Sequence, residues 1–425
     1  MRTRANVFIW EHQVGAVEWD ERNNVAVFRY HPDFVKTGIQ LSPMQMPLAT
    51  RNYVFGRRET DPENFQGLPG LLADSLPDRF GNTLIKEWLE ANHRLTPLNP
   101  VERLCYIGSR GMGALEYKPV LSDFSTKNEL IDIEALSQLA DFALNNETQF
   151  KAYIKKNQQG LQDILKVGTS AGGARPKAII AYNPTTGEVR SGKTASQKDF
   201  EHYLVKFDVE EAHISLSRVE YAYYLMALDC GIQMSKSSLH EDGKKAHFFT
   251  KRFDRTSNGE KLHIQTLAAI EHRDYQDTSA SRYEDIFSTL RAMHLPYQDS
   301  EQLFRRMVFN VMARNQDDHV KNFSFLMDKS GLWHLAPAYD MTYAFDPTSR
   351  WTARHQSSVN GKRTDITRED MFTVGCKEDI KQPDKIMEQI SDTVSQWEHY
   401  AQQAKLDNNA IRKIQKAFLL PIRHC

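Results

Sequence analysis

The chain is poor in cysteine and has no excess charge of either sign. Its 425 residues include four cysteines, Cys105, Cys230, Cys376 and Cys425, widely spaced and without a CxxC pair. That pattern argues against a disulfide frame or a zinc site and fits reduced thiols. Lys and Arg number 54 against 55 Asp and Glu, a formal net charge of −1. No whole-protein field therefore draws the chain to nucleic acid or to a membrane surface, and any polyanion contact has to be local. No stretch approaches the roughly 18 apolar residues of a membrane span, and Met1 to Trp10, despite two arginines, lacks an apolar signal core. A cytoplasmic location is the expectation. Internal repeats and low-complexity tracts are lacking too. What is present is an ordinary globular composition, 40 % hydrophobic and 26 % charged, in a length sufficient for two or three domains.

The chain opens as strands. VFIW, VGAVEW and VAVFRY, between Val7 and Tyr30, read as a small β-meander. Two helices broken at Pro77 follow in QGLPGLLADSLPDRFGNTLIKEWLEANH, with Asp78 as N-cap and Leu84, Ile85, Trp88 and Leu89 as an apolar stripe. LCYIGSRGMGA, from Leu104 to Ala114, is glycine-rich but has no helix start behind it and reads as a loop. A helix pair, Ile131 to Asn145 and Phe150 to Val167, leads to VGTSAGGARPKAIIAYN, in which a small-residue loop runs into a strand at Lys177 to Tyr182. A loop containing Ser170, Gly172 and Gly173 lets backbone N–H groups approach phosphate oxygens, although it is neither a Walker A nor a GxGxxG loop.

Next come a strand at His202 to Phe207 with Lys206 near its end, a helix RVEYAYYLMALDCG that opens with Glu220, and a strand reading AHFFTKRFDR from Ala246 to Arg255. A strand lysine followed by a helix glutamate is the ion pair that holds nucleotide phosphates in kinases. LHIQTLAAIEHRDYQ and helices at Tyr283 to Met293 and Glu301 to Arg314 would open a helical lobe. In RNQDDHVKNFSFLMDKSGLWHLAPAYDMTYAF the helix ends, FSFLM and LWHL form a hairpin, and Asp317, Asn322 and Asp340 bracket it. The five-residue step from Asp317 to Asn322 matches the kinase catalytic loop, in which the aspartate accepts the attacking hydroxyl's proton and the asparagine and a later aspartate hold a divalent ion. Beyond Phe345 the polar TSRWTARHQSSVNGKRT reads as a mobile loop, and Asp384 to Leu420 as two helices.

With LPDRFGN, SAGGARPK, YLVKF, VEYAYYLMALDCGI, KRFDR, DDHVKNFSFL and LAPAYDMTYAF in this order, the chain resembles the HipA family of bacterial serine/threonine kinases, the toxin half of a toxin–antitoxin pair. The resemblance implies an α+β, two-lobed protein-kinase-like fold of HipA type with an N-terminal β-rich subdomain (1–125), a nucleotide-binding sheet lobe (148–253) and a helical C-terminal lobe (254–425). It implies ATP and Mg²⁺ as cofactors, Asp317 as catalytic base, Asn322 and Asp340 as metal ligands, Lys206 on the phosphates, and Lys251 and Phe253 at the adenine hinge. Ser170 falls where the family carries an autophosphorylated serine, with Thr169 as a neighbouring acceptor. Two added charges there would repel the nucleotide phosphates and open the loop. A HipB-like DNA-binding antitoxin is the implied partner, operator DNA is contacted chiefly through it, and a translation component such as an aminoacyl-tRNA synthetase is the implied substrate.

Two departures from ordinary protein kinases are visible. There is no H-R-D, and Lys321 comes four residues after Asp317 rather than two. Asp318 competes with Asp317 if the register shifts by one, and His319 could serve structure or catalysis. The alternatives are a small-molecule phosphotransferase, whose loop would place His ahead of Asp, and a catalytically idle corepressor that only binds the antitoxin.

Overall fold

Two five-stranded antiparallel sheets, a three-stranded sheet, a two-stranded ribbon and a helical lobe make up the computed structural model, which describes residues 3–77, 79–91, 97–121, 132–145, 175–191, 199–211, 213–277 and 281–420. The first sheet is the expected meander, Arg4–Ile9, His12–Asp20 and Val25–Tyr30, with Asn52–Tyr53 and Leu115–Lys118 added at its edges. Its first hairpin turns at Trp10 and Glu11, with φ of 47° and 70°, and two left-handed residues in a two-residue loop match the twist of the flanking strands. Inward side chains such as Val7, Val17, Phe28 and Tyr30 are buried, the alternation that a half-buried strand requires.

The second sheet runs, edge to edge, Ser237–Asp242, Lys245–Lys251, Glu201–Lys206, Lys177–Tyr182 and Val189–Ser191. The helices Arg79–Ala91, Pro100–Ile107 and Ile133–Asn145 contribute Leu84, Ile85, Leu89, Tyr106, Ile133 and Leu136 to one core with Ile180, Tyr203, Val205 and Phe249 of this sheet. The side chain of Trp88 lies outside the described residues, as do Asp78 and the second helix of the expected pair, 150–167. The expected boundary near 125 thus runs through a shared core: helices that precede it in the chain cover the sheet that follows it.

The N-terminal segment is also bolted to the helical lobe. Gly70 donates its N–H to His272 Nε2 at 3.0 Å, and a Cβ there would lie 2.1 Å from the Ala269 carbonyl, so only glycine allows this approach. In the helical lobe the central helix Tyr297–Met312 is buried along its second half, from Leu303 to Met312 except Arg305. The three-stranded sheet is His263–Thr266, Ser324–Met327 and Trp333–Leu335. It contains the expected hairpin, joined by a strand that runs straight into the helix Leu267–Glu271.

Four local expectations need correction. Leu104 to Ile107 is not loop but the last turn of Pro100–Ile107, a helix started by a capping box between Asn99 and Glu102 and ended by Gly108 at φ 60°. The strand expected to reach Arg255 stops at Lys251. The region after Asp384 holds three helices, Pro383–Ser395, Trp397–Gln403 and Asn408–Gln415, preceded by an unexpected one, Arg368–Lys377. Finally, the polar stretch after Phe345 is not a loose loop, because His355 to Val359 are all buried.

Candidate active site

The sheet lobe brings buried positive charge to one place. Lys177 and Lys206 face each other across adjacent antiparallel strands, and both are buried. Like charges directly opposite destabilise a sheet, and a buried ammonium requires an ionic partner. The partners come from elsewhere in the chain. Ser215 caps the helix Leu216–Asp229 by accepting from the Arg218 N–H, and this places Glu220 on the helix's first turns, buried against the sheet. Lys206 Nζ donates to Glu220 and to Asp340. Arg175 Nη1 meets the other Glu220 oxygen at 2.9 Å and its Nε donates to the Phe207 carbonyl at 3.1 Å. Burial alone would depress the Lys206 pKa, but Asp340 and Glu220 more than offset this and hold it above the ordinary lysine value. Burial likewise raises the Asp340 pKa, and Lys206, then Lys177, overrule it, so the carboxyl is held well below the usual carboxylate range.

The helical lobe supplies the acidic side of the cleft. Asp340 sits in the left-handed region at φ 53°, a conformation that short polar side chains tolerate best. Asn322 donates its side-chain N–H to the Asp317 carbonyl at 2.7 Å, a bond that leaves the lone pairs of its Oδ1 unused. Asn322 lines one small cavity with Ala338, Tyr339 and Met341, the residues that flank Asp340 in the chain, and the Asp317 and Asp340 carboxylates lie close enough to act on each other. The Asp317 side chain is 47 % exposed. The surrounding protein still removes enough water to raise its pKa; His319 opposes the rise, and Asp340 and Asp318 add to it.

Asp318 behaves differently. Its side chain is fully buried and accepts from Tyr283 Oη at 2.9 Å, His355 Nδ1 at 3.0 Å, and the Gln356 and Ser357 backbone N–H groups at 2.8 and 3.2 Å. Of the two adjacent carboxylates, only Asp317 is free to receive a proton from a molecule in the cleft. His319 Nε2 lies 3.9 Å from Asp317 Oδ1, and the Lys321 ammonium lies 4.1 Å from the centre of the Tyr275 ring.

At the expected hinge, Lys251 Nζ bonds Glu201 at 2.7 Å, and the backbone N–H groups of Lys251 and Arg252 are taken by the Lys236 and His202 carbonyls. The Phe253 ring stacks on Tyr339 at 5.6 Å, next to Asp340. Beyond it Asp254 is fully buried among Arg252, Arg255 and the Gly113 N–H, the last at 2.6 Å. The glycine-rich stretch of the N-terminal segment is therefore clamped onto the hinge.

The structure thus brings together Lys206, Glu220, Asp317, Asn322 and Asp340. Ser170, Thr169, Gly172 and Gly173 lie outside the described residues. Sequence reasoning missed Lys177 and Arg175, which sit in the quoted SAGGARPK motif but show their role only once the strand register and the helix are in place.

An oxygen-only pair, Asn322 Oδ1 and the Asp340 carboxylate, fits a hard divalent cation that takes its remaining ligands from phosphates and water. Among the described residues no group of three or more His, Cys, Asp or Glu forms a protein-only metal cage, and no helix is long and apolar enough to cross a membrane.

Residues 169–399 match the family model of the HipA-like C-terminal domain, and residues 5–118 that of the HipA N-terminal domain. The chain belongs to the HipA family. Its fold is similar to that of a chain from the Shewanella oneidensis MR-1 toxin–antitoxin complex of HipA, HipB and operator DNA, with a TM-score of 0.66 and 16 % identity over 97 % of this chain and 95 % of that one. The likeness to the Helicobacter pylori proinflammatory kinase CtkA covers 51 % of this chain and 88 % of that one at 13 % identity, with a TM-score of 0.34. In sequence, the chain is 26 % identical over 152 residues to a Haemophilus influenzae Rd protein named "Putative kinase". That alignment covers 33 % of this HipA-family chain and spans less than half, 44 %, of the relative.

Proposed function

We propose that this HipA-family chain is an ATP-dependent protein kinase that phosphorylates serine or threonine and acts as the growth-arresting toxin of a toxin–antitoxin pair. The observation that carries the reading is Lys206, a buried strand lysine held between Glu220 and Asp340, with Asp317 open to the cleft beside them. Phosphoryl transfer demands little covalent chemistry from a protein; it demands positioning and charge stabilisation. Lys206, steadied by Glu220, would bind the nucleotide phosphates. Asn322 and Asp340 would hold Mg²⁺, which when bound neutralises charge on the phosphates. The acceptor hydroxyl would attack the γ-phosphorus as the bond to the β-phosphate oxygen breaks, releasing ADP, and its proton would pass to Asp317. The raised Asp317 pKa makes it a stronger base than an ordinary aspartate.

The partner reading is a HipB-like antitoxin that carries the contact with operator DNA. It is supported by family membership and by a net charge of −1, which leaves little general attraction to DNA. The acceptor is expected on a translation component such as an aminoacyl-tRNA synthetase, and Ser170 is the expected site of self-inactivation. The test is phosphoproteomics after brief expression, with and without the antitoxin, beside purified chain incubated with Mg·ATP. New phosphoserine or phosphothreonine on a cellular protein, absent with Asp317→Ala, supports the reading. Antitoxin binding with no phosphate transferred to any protein would replace it by the idle corepressor.

A further inference from the structure

The buried strap His355–Val359 is the feature that neither the fold nor the proposed chemistry absorbs. A polar sequence, HQSSV, would ordinarily stay in water, since burying polar groups without partners is costly. Here the partners sit on the catalytic loop and on the start of the helix Tyr283–Ala292. Asp318 takes four hydrogen bonds on its carboxylate, three of them from His355, Gln356 and Ser357. Its carbonyl accepts from Ser357 Oγ at 2.7 Å, and the Gln316 carbonyl accepts from the Gln356 N–H at 3.2 Å. On the far side Ser358 exchanges backbone bonds with Ser281 and Tyr283, both at 3.0 Å, and Ser281 and Ser357 share a hydroxyl contact at 2.7 Å. The fourth carboxylate donor, Tyr283 Oη, is itself held by Asn310 of the central helix, and Asn310 by Asn315, each at 2.9 Å.

This is a closed chain of contacts that runs from the central helix through Asp318 to the strap. Every link that ends on the catalytic loop falls within two residues of Asp317. We propose that Asp318 is a positioning residue: it tethers the strap across the catalytic loop and so fixes the direction in which Asp317 faces, and phosphoryl transfer requires the tether to be made. The inference rests on the kinase reading above, because Asp317 is taken as the base. An ionised carboxylate is acceptor-only, which is what four converging donors need. A displacement of about 1 Å in a reacting group costs on the order of a hundredfold in rate, so slack in the tether is read out in transfer while nucleotide affinity, set by Lys206 and Asp340, stays unchanged.

The test uses the full chain. Asp318→Ala and Asp318→Asn are compared with the parent for binding of a non-hydrolysable Mg·ATP analogue, for the rate of phosphoryl transfer, and for tryptic cleavage after Arg354, which abuts the buried strap. With Asp318→Ala, analogue affinity should stay within about twofold, transfer should fall on the order of a hundredfold, and a new cut should appear after Arg354. Asp318→Asn keeps an oxygen for the Gln356 and Ser357 amides and should recover part of the rate. Should Asp318→Ala fail to fold, Ser357→Ala, which leaves the carboxylate intact, should give the same pattern with a roughly tenfold loss. Transfer at the parent rate, or lost transfer with Arg354 as resistant as in the parent, would overturn the proposal. If the parent itself transfers no phosphate, the kinase reading has failed, and the proteolysis still decides the tether: no new cut overturns it.

Discussion

The two five-stranded antiparallel sheets have the same size, one a meander and the other two hairpins flanking a central strand, and they bury different things. No charged side chain of the N-terminal sheet is buried; its core is Val7, Val17, Phe28, Tyr30 and their neighbours. The sheet of the second lobe buries Lys177 and Lys206 opposite each other. An arrangement that costs stability persists only where something else requires it, and this contrast supports placing the proposed site on the second sheet. The same contrast recurs on a smaller scale in adjacent residues. Asp318 has every donor it can use, and Asp317 is left open.

The comparison can be broken most sharply at Asp317. Asp317→Ala should lower transfer by roughly 10²- to 10⁴-fold, the usual contribution of a general base, with analogue binding unchanged, as measured by single-turnover kinetics and calorimetry. In the N-terminal sheet, Phe28→Ala should cost about 3–5 kcal/mol of stability in denaturant titration and leave nucleotide affinity untouched in the folded fraction.

Asp254 sharpens it from the hinge side. Its carboxyl is fully buried; burial would raise the pKa, but Arg252 and Arg255 hold it far below the unfolded value. Its contribution is therefore complete above the unfolded pKa near 4 and is lost as pH falls through the lower folded value. Asp254→Asn should destabilise the chain by about 3–5 kcal/mol at neutral pH, the cost of breaking a buried ion pair. The gap from the parent should narrow only in strong acid, as followed by urea melts across pH. The smallest effect is expected at Lys251, whose pairing with Glu201 is about one-third exposed on each side. Lys251→Met should change stability by less than about 1 kcal/mol, and a thermal melt detects it.

Much of the site was legible in the chain because its signals are local. The Asp317-to-Asn322 step, the hairpin after it, the strand ending at Lys206 and the amphipathic helix carrying Glu220 are each readable from a dozen residues. What was not legible depends on register and on distant partners. Lys177 becomes notable only when pairing sets it opposite Lys206, and Arg175 only when the helix brings Glu220 to it. The strap at His355 to Val359 has the composition of a solvated loop, and its burial is explained by partners far away in the chain, chief among them Asp318, some 40 residues earlier. The helix Pro100–Ile107 was missed because its last turn shares a window with Gly108, Gly111 and Gly113. The core shared between the helices Arg79–Ala91, Pro100–Ile107 and Ile133–Asn145 and the second sheet likewise leaves no mark in composition.

The account depends on Lys206, Asn322 and Asp340 meeting around one magnesium nucleotide. Calorimetric titration of the full chain with a non-hydrolysable Mg·ATP analogue, run on the parent, Lys206→Ala and Asp340→Ala, tests this most directly. The account predicts saturable one-site binding by the parent that weakens at least about tenfold, roughly 1.4 kcal/mol, in each variant while both remain folded. A parent that binds no nucleotide, or three proteins that bind it equally, would contradict it.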